Sequence, residues 1–206
     1  MHPNQTFRKA NGELNISFAR ERSFGTLAIN ADSGPLLSHI PFLLSEDGTY
    51  LEAHLVRSNP ILKCLDSEID AVIAVNGGDT YISPDWYELD NQVPTWNYVA
   101  VHIRGKLMRL PQDQLSGILE RLSSQFETRL LPKPEWKMDK VEQDTLEKLQ
   151  SMIVPISMQV SSIDGTWKLA QNKPEDARLA ASQQVKSNGI GQEIGEIASL
   201  MSKPPC

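Results

Sequence analysis

A chain of 206 residues with a formal net charge of −6 and 40% hydrophobic residues has an ordinary globular composition, and it is long enough to bury a core without metal or disulfide staples. No apolar run approaches the roughly 18 residues needed to cross a membrane, and the acidic balance weighs against broad nucleic-acid binding, which relies on a basic surface. Cys64 and Cys206 make neither a disulfide framework nor a zinc site, and the opening Met1-His2-Pro3-Asn4-Gln5 lacks the apolar centre of a secretory signal, so the expected location is the cytoplasm.

Phe24 to Asn30 predicts a short strand, stopped by Asp32-Ser33-Gly34-Pro35. Ser38 to Leu44 predicts a second, with Pro41 pushing it towards an edge or a bulge. Glu46-Asp47-Gly48 reads as a tight turn, and Tyr50 to Val56 as the returning strand. Ala71 to Val75 is a continuous apolar run, suited to a strand buried on both faces. Val99, Val101 and Ile103 alternate with Ala100, His102, Arg104 and Lys106, the period of a strand with one face inward. Carried back, the same period puts Trp96 and Tyr98 on one face and Asn97 on the other.

Leu115, Ile118, Leu119, Leu122 and Phe126 form one helical stripe, with Pro111 near its start. Asp144 to Met152 predicts a shorter helix. Ile153 to Ala170 predicts two strands turning at Asp164-Gly165. Pro174 to Lys186 is a further helix, with Glu175 and Asp176 at its positive end and Ser187-Asn188-Gly189 as its stop. Ile194 to Met201 is a last short one. Many short strands with connecting helices argue for a mainly β chain with added helices, a barrel or sandwich rather than a doubly wound parallel sheet.

Three segments have the residue types of a binding site. In His54-Leu55-Val56-Arg57-Ser58-Asn59-Pro60 a strand end is followed by a guanidinium, a hydroxyl and an amide, donors that suit a phosphate. From spacing alone, the commoner identity of such a stretch is a loop with an exposed arginine. Gly77-Gly78-Asp79-Thr80-Tyr81 lets the backbone turn or approach a ligand closely. In Val93-Pro94-Thr95-Trp96-Asn97-Tyr98 a polar and aromatic cluster leads into the best strand, where it could grip a planar cofactor. No histidines stand at metal-ligand spacing, so no metal site is expected. G-x-G-x-x-G, Walker A and G-x-S-x-G signatures are all missing, and no catalytic residue is assigned.

Taken in order, Phe24-Gly25-Thr26-Leu27, His39-Ile40-Pro41-Phe42-Leu43-Leu44, His54 to Pro60, Tyr81-Ile82-Ser83-Pro84-Asp85-Trp86-Tyr87, Val93 to His102 and Lys168-Leu169-Ala170-Gln171-Asn172-Lys173 resemble the PaiB-type family of FMN-binding split-barrel proteins, often labelled negative transcriptional regulators. The likeness extends to about residue 186 and is most specific from Tyr81 to His102. Two departures stand out: Gly78-Asp79 replaces a usual Pro-His pair, and Ala170 replaces a common serine.

The resemblance implies an antiparallel, Greek-key-like split β-barrel that dimerises with FMN at the subunit interface. It implies a barrel domain over residues 1–170 with a helical insertion at about 111–152, and a C-terminal helical extension over 171–206. Arg57, Ser58 and Asn59 become phosphate-side candidates, and Trp96, Asn97 and Tyr98 candidates for the ring-side wall. Gln171 and Lys173 bracket the site from the C-terminal segment. Three functions follow as expectations: a regulator of transcription or metabolism, an FMN-dependent oxidoreductase, or a haem-binding split barrel using His39, His54 or His102 as axial ligand. Direct DNA contact has no support from charge or from a helix-turn-helix.

Overall fold

The computed structural model describes residues 1–205. Its elements, in chain order, are α1 (Gly12–Arg22), β1 (Phe24–Ile29), β2 (Leu36–Leu44), β3 (Tyr50–Val56), β4 (Ile69–Ile82), β5 (Thr95–Arg109), α2 (Leu115–Glu127), α3 (Gln143–Ser151), β6 (Ile153–Lys168), α4 (Glu175–Asn188), β7 (Gly191–Gln192) and α5 (Ile194–Ser202). The hydrogen-bonded strand order is β1-β2-β3-β6-β5-β4-β7, with an additional β1–β4 pairing. Two meanders, β1-β2-β3 and β4-β5-β6, are therefore joined side to side. Antiparallel β3–β6 pairing runs from Tyr50↔Gln159 to Val56↔Ile153, and antiparallel β1–β4 pairing from Thr26↔Ala74 to Ile29↔Ala71. This closure removes the edges of the six-strand set. The fold is the expected split β-barrel.

Two compact units divide the chain, and β4, β5 and β6 contribute a segment to each. The first unit comprises residues 16–74 and 103–163 and contains the closed ring. Period-2 alternation fills its interior with Leu27, Ile29, Ile40, Phe42, Leu51, Leu55, Ile73, Ile103, Leu107 and Ile156, all buried. Each such side chain contributes roughly 1.5–3 kcal/mol by leaving water. The predicted stripe buries Leu115, Ile118 and Leu122 of α2, which packs on β2 and β3. Arg121 forks onto the Glu52 carboxylate of β3 with Nη2–O distances of 2.9 and 2.8 Å.

The turn after β2 is the one expected. Gly48 has φ +71°, the left-handed value that favours glycine, and the Ser45 N–H donates to the Tyr50 carbonyl at 2.8 Å. The Asp47 carboxylate accepts from the Ser45 hydroxyl and from the Thr49 N–H and hydroxyl, which pull its pKa down to about 2.

The second unit comprises residues 1–15, 75–102 and the chain from Asp164 on. Its core holds Phe7, Tyr87, Trp167, Leu169, Val185, Ile197 and Met201. α4 and α5 pack together through the Ser182 hydroxyl, which donates to the Ala198 carbonyl at 2.7 Å. The nearly buried Arg178 donates to the last carbonyls of α5, with Ser202 O at 2.7 Å, which satisfies groups that the helix end leaves open. Burial pushes the Tyr87 phenol up to about 12.

Three expectations change. The two strands over Ile153 to Ala170 are one strand, β6, with no turn at Asp164-Gly165. Gly165 serves a close approach instead: a Cβ there would collide with the Asn15 amide, whose Oδ1 accepts from the buried Trp167 Nε1 at 2.9 Å. The apolar run Ala71 to Val75 is buried on one face only, because Val72 and Ala74 are half-buried, and its strand extends through Gly77-Gly78 to Ile82. Helix α1 was not foreseen.

Candidate functional site

The site begins with the register of β5 and β4. In β5, Asn97, Val99 and Val101 point inward, while Trp96, Tyr98, Ala100 and His102 form the outward face. In β4 the buried set is Ala71, Ile73 and Val75, and then shifts to Gly78, Thr80 and Ile82. Period 2 runs through without an extra residue, so the buried face of the strand switches at Asn76–Gly77, neither of which is buried. β7 fastens to the strand just beyond this switch, with Asp79↔Gln192 and Thr80↔Gly191 in register, and the Asp79 carboxylate accepts from the Gln192 N–H at 3.1 Å.

Beside Asn76–Gly77 is a cavity of about 280 Å³ lined by Asn76, Gly77, Asp79, Trp96, Tyr98 and Ala100 among others. Trp96 is 48% exposed. Its ring meets that of Tyr81 edge-on, with centroids 6.2 Å apart and planes at 73°, so the indole is propped rather than loose. Tyr98 is half-buried, and desolvation holds its phenol above the ordinary value, so it remains a hydrogen-bond donor across the neutral range. On its other side, Tyr98 borders a cavity of about 350 Å³ with His2, His102 and Thr166.

The cation next to this face is Lys168. Its Nζ donates to the Thr95 hydroxyl and to the Trp96 carbonyl, the latter at 2.6 Å. No carboxylate pairs with it among the described residues, and partial burial holds its ammonium below the ordinary lysine value. A half-desolvated cation without a counter-ion, fixed to an exposed aromatic, is a group that an anion would satisfy. Sequence reasoning missed Lys168. Period-2 register carried through Gly165 buries Trp167 and turns Lys168 to the other face, but a turn assumed at Asp164-Gly165 erases that register.

The expected site residues have these places. Trp96 and Tyr98 share the outward face, while Asn97 is buried beneath it with its Nδ2 lacking a partner. Gln171 is folded onto its own turn, accepting from the Leu169 N–H at 2.8 Å and donating to the Trp167 carbonyl at 2.5 Å. Lys173 donates to the Gln92 side chain and stands 5.1 Å over the Tyr87 ring.

In the other unit, the Arg57 guanidinium donates to the carbonyls of Ser151 (2.7 Å) and Ile153 (3.3 Å) and to Gln112 Oε1 (3.1 Å). It has no carboxylate partner among the described residues, so its charge stays open to an anion. Ser58 is exposed. Asn59 caps the one-turn helix Pro60–Cys64, accepting from the Ile61 N–H at 3.0 Å and donating to the Ser38 hydroxyl at 3.0 Å, so its amide is engaged in shaping the loop. No group of three or more metal-ligating side chains occurs among the described residues.

Residues 1–162 match the family described as "Putative FMN-binding domain". The chain belongs to this family. FMN is its cofactor. The "Protease synthase and sporulation protein PAI 2" of Bacillus subtilis (strain 168) is 31% identical over 197 residues, covering 95% of this chain and 93% of that protein, which bears out the PaiB-type resemblance.

Among solved structures, the flavocytochrome Anf3 of Azotobacter vinelandii aligns with a TM-score of 0.59 at 12% identity, over 81% of this chain and 72% of that one. The FAD and heme binding protein of Mycobacterium smegmatis aligns with a TM-score of 0.55 at 15% identity, over 88% and 80%. At these identities the likeness is one of fold.

The residues present fit the family's cofactor. An isoalloxazine needs a flat apolar support and donors or acceptors at its edge, which Trp96, Tyr98 and the backbone at Gly77 offer. A phosphate needs a cation without a counter-ion, and each unit has one, Lys168 and Arg57.

Proposed function

We propose that FMN lies with its ring against the outward face of β5, on Trp96 and Tyr98 beside Asn76 and Gly77. A second copy of the chain completes the pocket. The resulting dimer is a cytoplasmic regulator of the PaiB type. The exposure of Trp96 carries this reading. A propped indole left 48% open beside a cavity of about 280 Å³ is half of a flavin site. Ligand pockets of roughly 300–1,000 Å³ cover most of their ligand, so this face needs a second surface to enclose a three-ring cofactor.

Lys168 is the phosphate-side group of this face, and Arg57, with Ser58 beside it, is the phosphate-side candidate of the other unit. Gln171 and Lys173 hold the chain around this face through the contacts described above, Asn97 lies beneath it, and Asn59 shapes the loop of Arg57. When bound, FMN supplies electron transfer, and the protein orients and shields it. A net charge of −6 argues against a direct grip on DNA, so regulation acts through the flavin or a partner. The relative's name, a sporulation protein, supports a regulatory over a housekeeping role.

The test is the absorbance spectrum and solution mass of the purified chain. A flavin spectrum at the mass of a dimer is expected, with no DNA retention at low salt. A haem Soret band instead would transfer the proposal to the haem reading, with His39, His54 or His102 as ligand. Steady NAD(P)H consumption with an added acceptor would replace the regulator by the oxidoreductase.

A further inference from the structure

The outer side of β2 and β3, beneath α2, holds a cavity of about 340 Å³ in the ring-containing unit. Leu119, Leu122, Phe126 and Pro41 make half of its lining, and Trp136, Ser123 and Glu127 border it as well. Trp136 is fixed there by Glu127, whose carboxylate accepts from the Trp136 N–H at 2.8 Å and pairs with Lys133. One polar side chain of β3, His54, enters this apolar wall. Its Nδ1 is buried and has no hydrogen-bond partner. Buried polar atoms are almost always partnered, and an orphan costs stability unless something supplies the missing bond. Burial also holds the His54 imidazole below its ordinary pKa, so it is neutral at physiological pH.

We propose that this cavity is a second small-molecule site, which takes a neutral aromatic compound of one or two fused rings carrying a single hydroxyl or carbonyl that bonds to the His54 ring. The reasons are size, wall and charge. A dry cavity of about 150 Å³ accepts one benzene ring, so this one has room for two rings. The Phe126 and Trp136 side chains favour an aromatic occupant. A charged ligand would lose hydration without a counter-charge on the wall, since the Glu127 carboxylate is already paired. Trp136 and Ser123 also border an open cleft of about 540 Å³, which gives the cavity an entrance. This site rests on residues other than those of the proposed flavin face.

The test titrates 2-naphthol, and naphthalene as its control, into the full chain saturated with FMN, following the His54 imidazole by heteronuclear NMR. Saturable 2-naphthol binding that shifts the His54 signals, about five- to tenfold tighter than naphthalene, is expected from one hydrogen bond. Binding should fall by a similar factor in His54→Phe and be blocked in Ser123→Leu, which narrows the entrance without touching the core. FMN binding should be unchanged in both. Equal affinity for the two probes, or binding that survives both substitutions, overturns the proposal. Loss of FMN together with 2-naphthol also overturns it, by assigning the cavity to the flavin.

Discussion

Lys168 at the end of β6 donates to the main-chain carbonyl of Trp96 on β5 at 2.6 Å, so a cation and an exposed aromatic are held as one unit. Two features of the proposed flavin site, a charge for phosphate and a plane for the ring, are thereby linked through a backbone group that no side-chain substitution removes. Lys168→Met keeps the length of the side chain and deletes the charge. FMN affinity should fall by roughly ten- to a hundredfold, the range for a hydrogen bond to a charged group. Lys168→Arg should recover part of it. Flavin absorbance titration checks both, and unchanged affinity in Lys168→Met would leave Arg57 as the phosphate-side cation.

The same lysine sets a pH dependence. Burial lowers its folded pKa below the ordinary value, so the unfolded chain binds more protons between the two values and the unliganded protein gains stability as pH rises through that alkaline window. A bound phosphate favours the charged form. FMN affinity should therefore weaken as pH rises past the lowered value, at a lower pH than an exposed lysine would give. Affinity measured against pH should lose this step in Lys168→Met.

Asn15 and Gly165 make a stability prediction. The Asn15 carbonyl accepts from the buried Trp167 Nε1 at 2.9 Å and occupies the space a Cβ on residue 165 would need. Asn15→Leu deprives the indole of this acceptor, and Gly165→Ala drives a methyl into the amide. Each should cost about 1–3 kcal/mol. Denaturant unfolding gives the number, and a variant as stable as the parent would show that the amide can move aside.

Acid stability divides between two groups of opposite habit. Asp47, held down to about 2 by three donors, favours the fold above the usual carboxylate range and loses that contribution as pH falls towards 2. His54, held low by burial, destabilises the fold once pH drops below the ordinary imidazole value, because the unfolded chain takes up the proton more readily. Thermal melts against pH should lose the lower step in Asp47→Ala and the upper one in His54→Phe.

Much of the barrel was legible because β1, β2, β3 and β5 obey a single period. Tyr50–Val56 is read without error, and the inward and outward sets of β5 follow from alternation alone. Helix α1 was hidden because Leu14, Ile16 and Phe18 alternate as a strand would, whereas the face it buries is Asn15, Phe18 and Ala19, spaced for a helix but carrying an amide. The continuation of β4 through Gly77-Gly78 was hidden because a pair of glycines reads as a turn. Trp96 and Tyr98 were legible as a shared face. Lys168 was not, because an Asp-Gly pair in an extended strand is indistinguishable from a hairpin until the Asn15 side chain that fills the space beside it is known.

The central claim is that FMN rests on the outward face of β5. Titrating FMN into the wild-type chain and Trp96→Ala, with solution mass followed in parallel, tests it most directly. Loss of the stacking plane should weaken FMN by at least about tenfold, since base-sized rings gain roughly 1–3 kcal/mol from an aromatic support. The remaining binding should still track the dimer. Equal affinity for FMN in Trp96→Ala and wild type, with both folded, would contradict the placement.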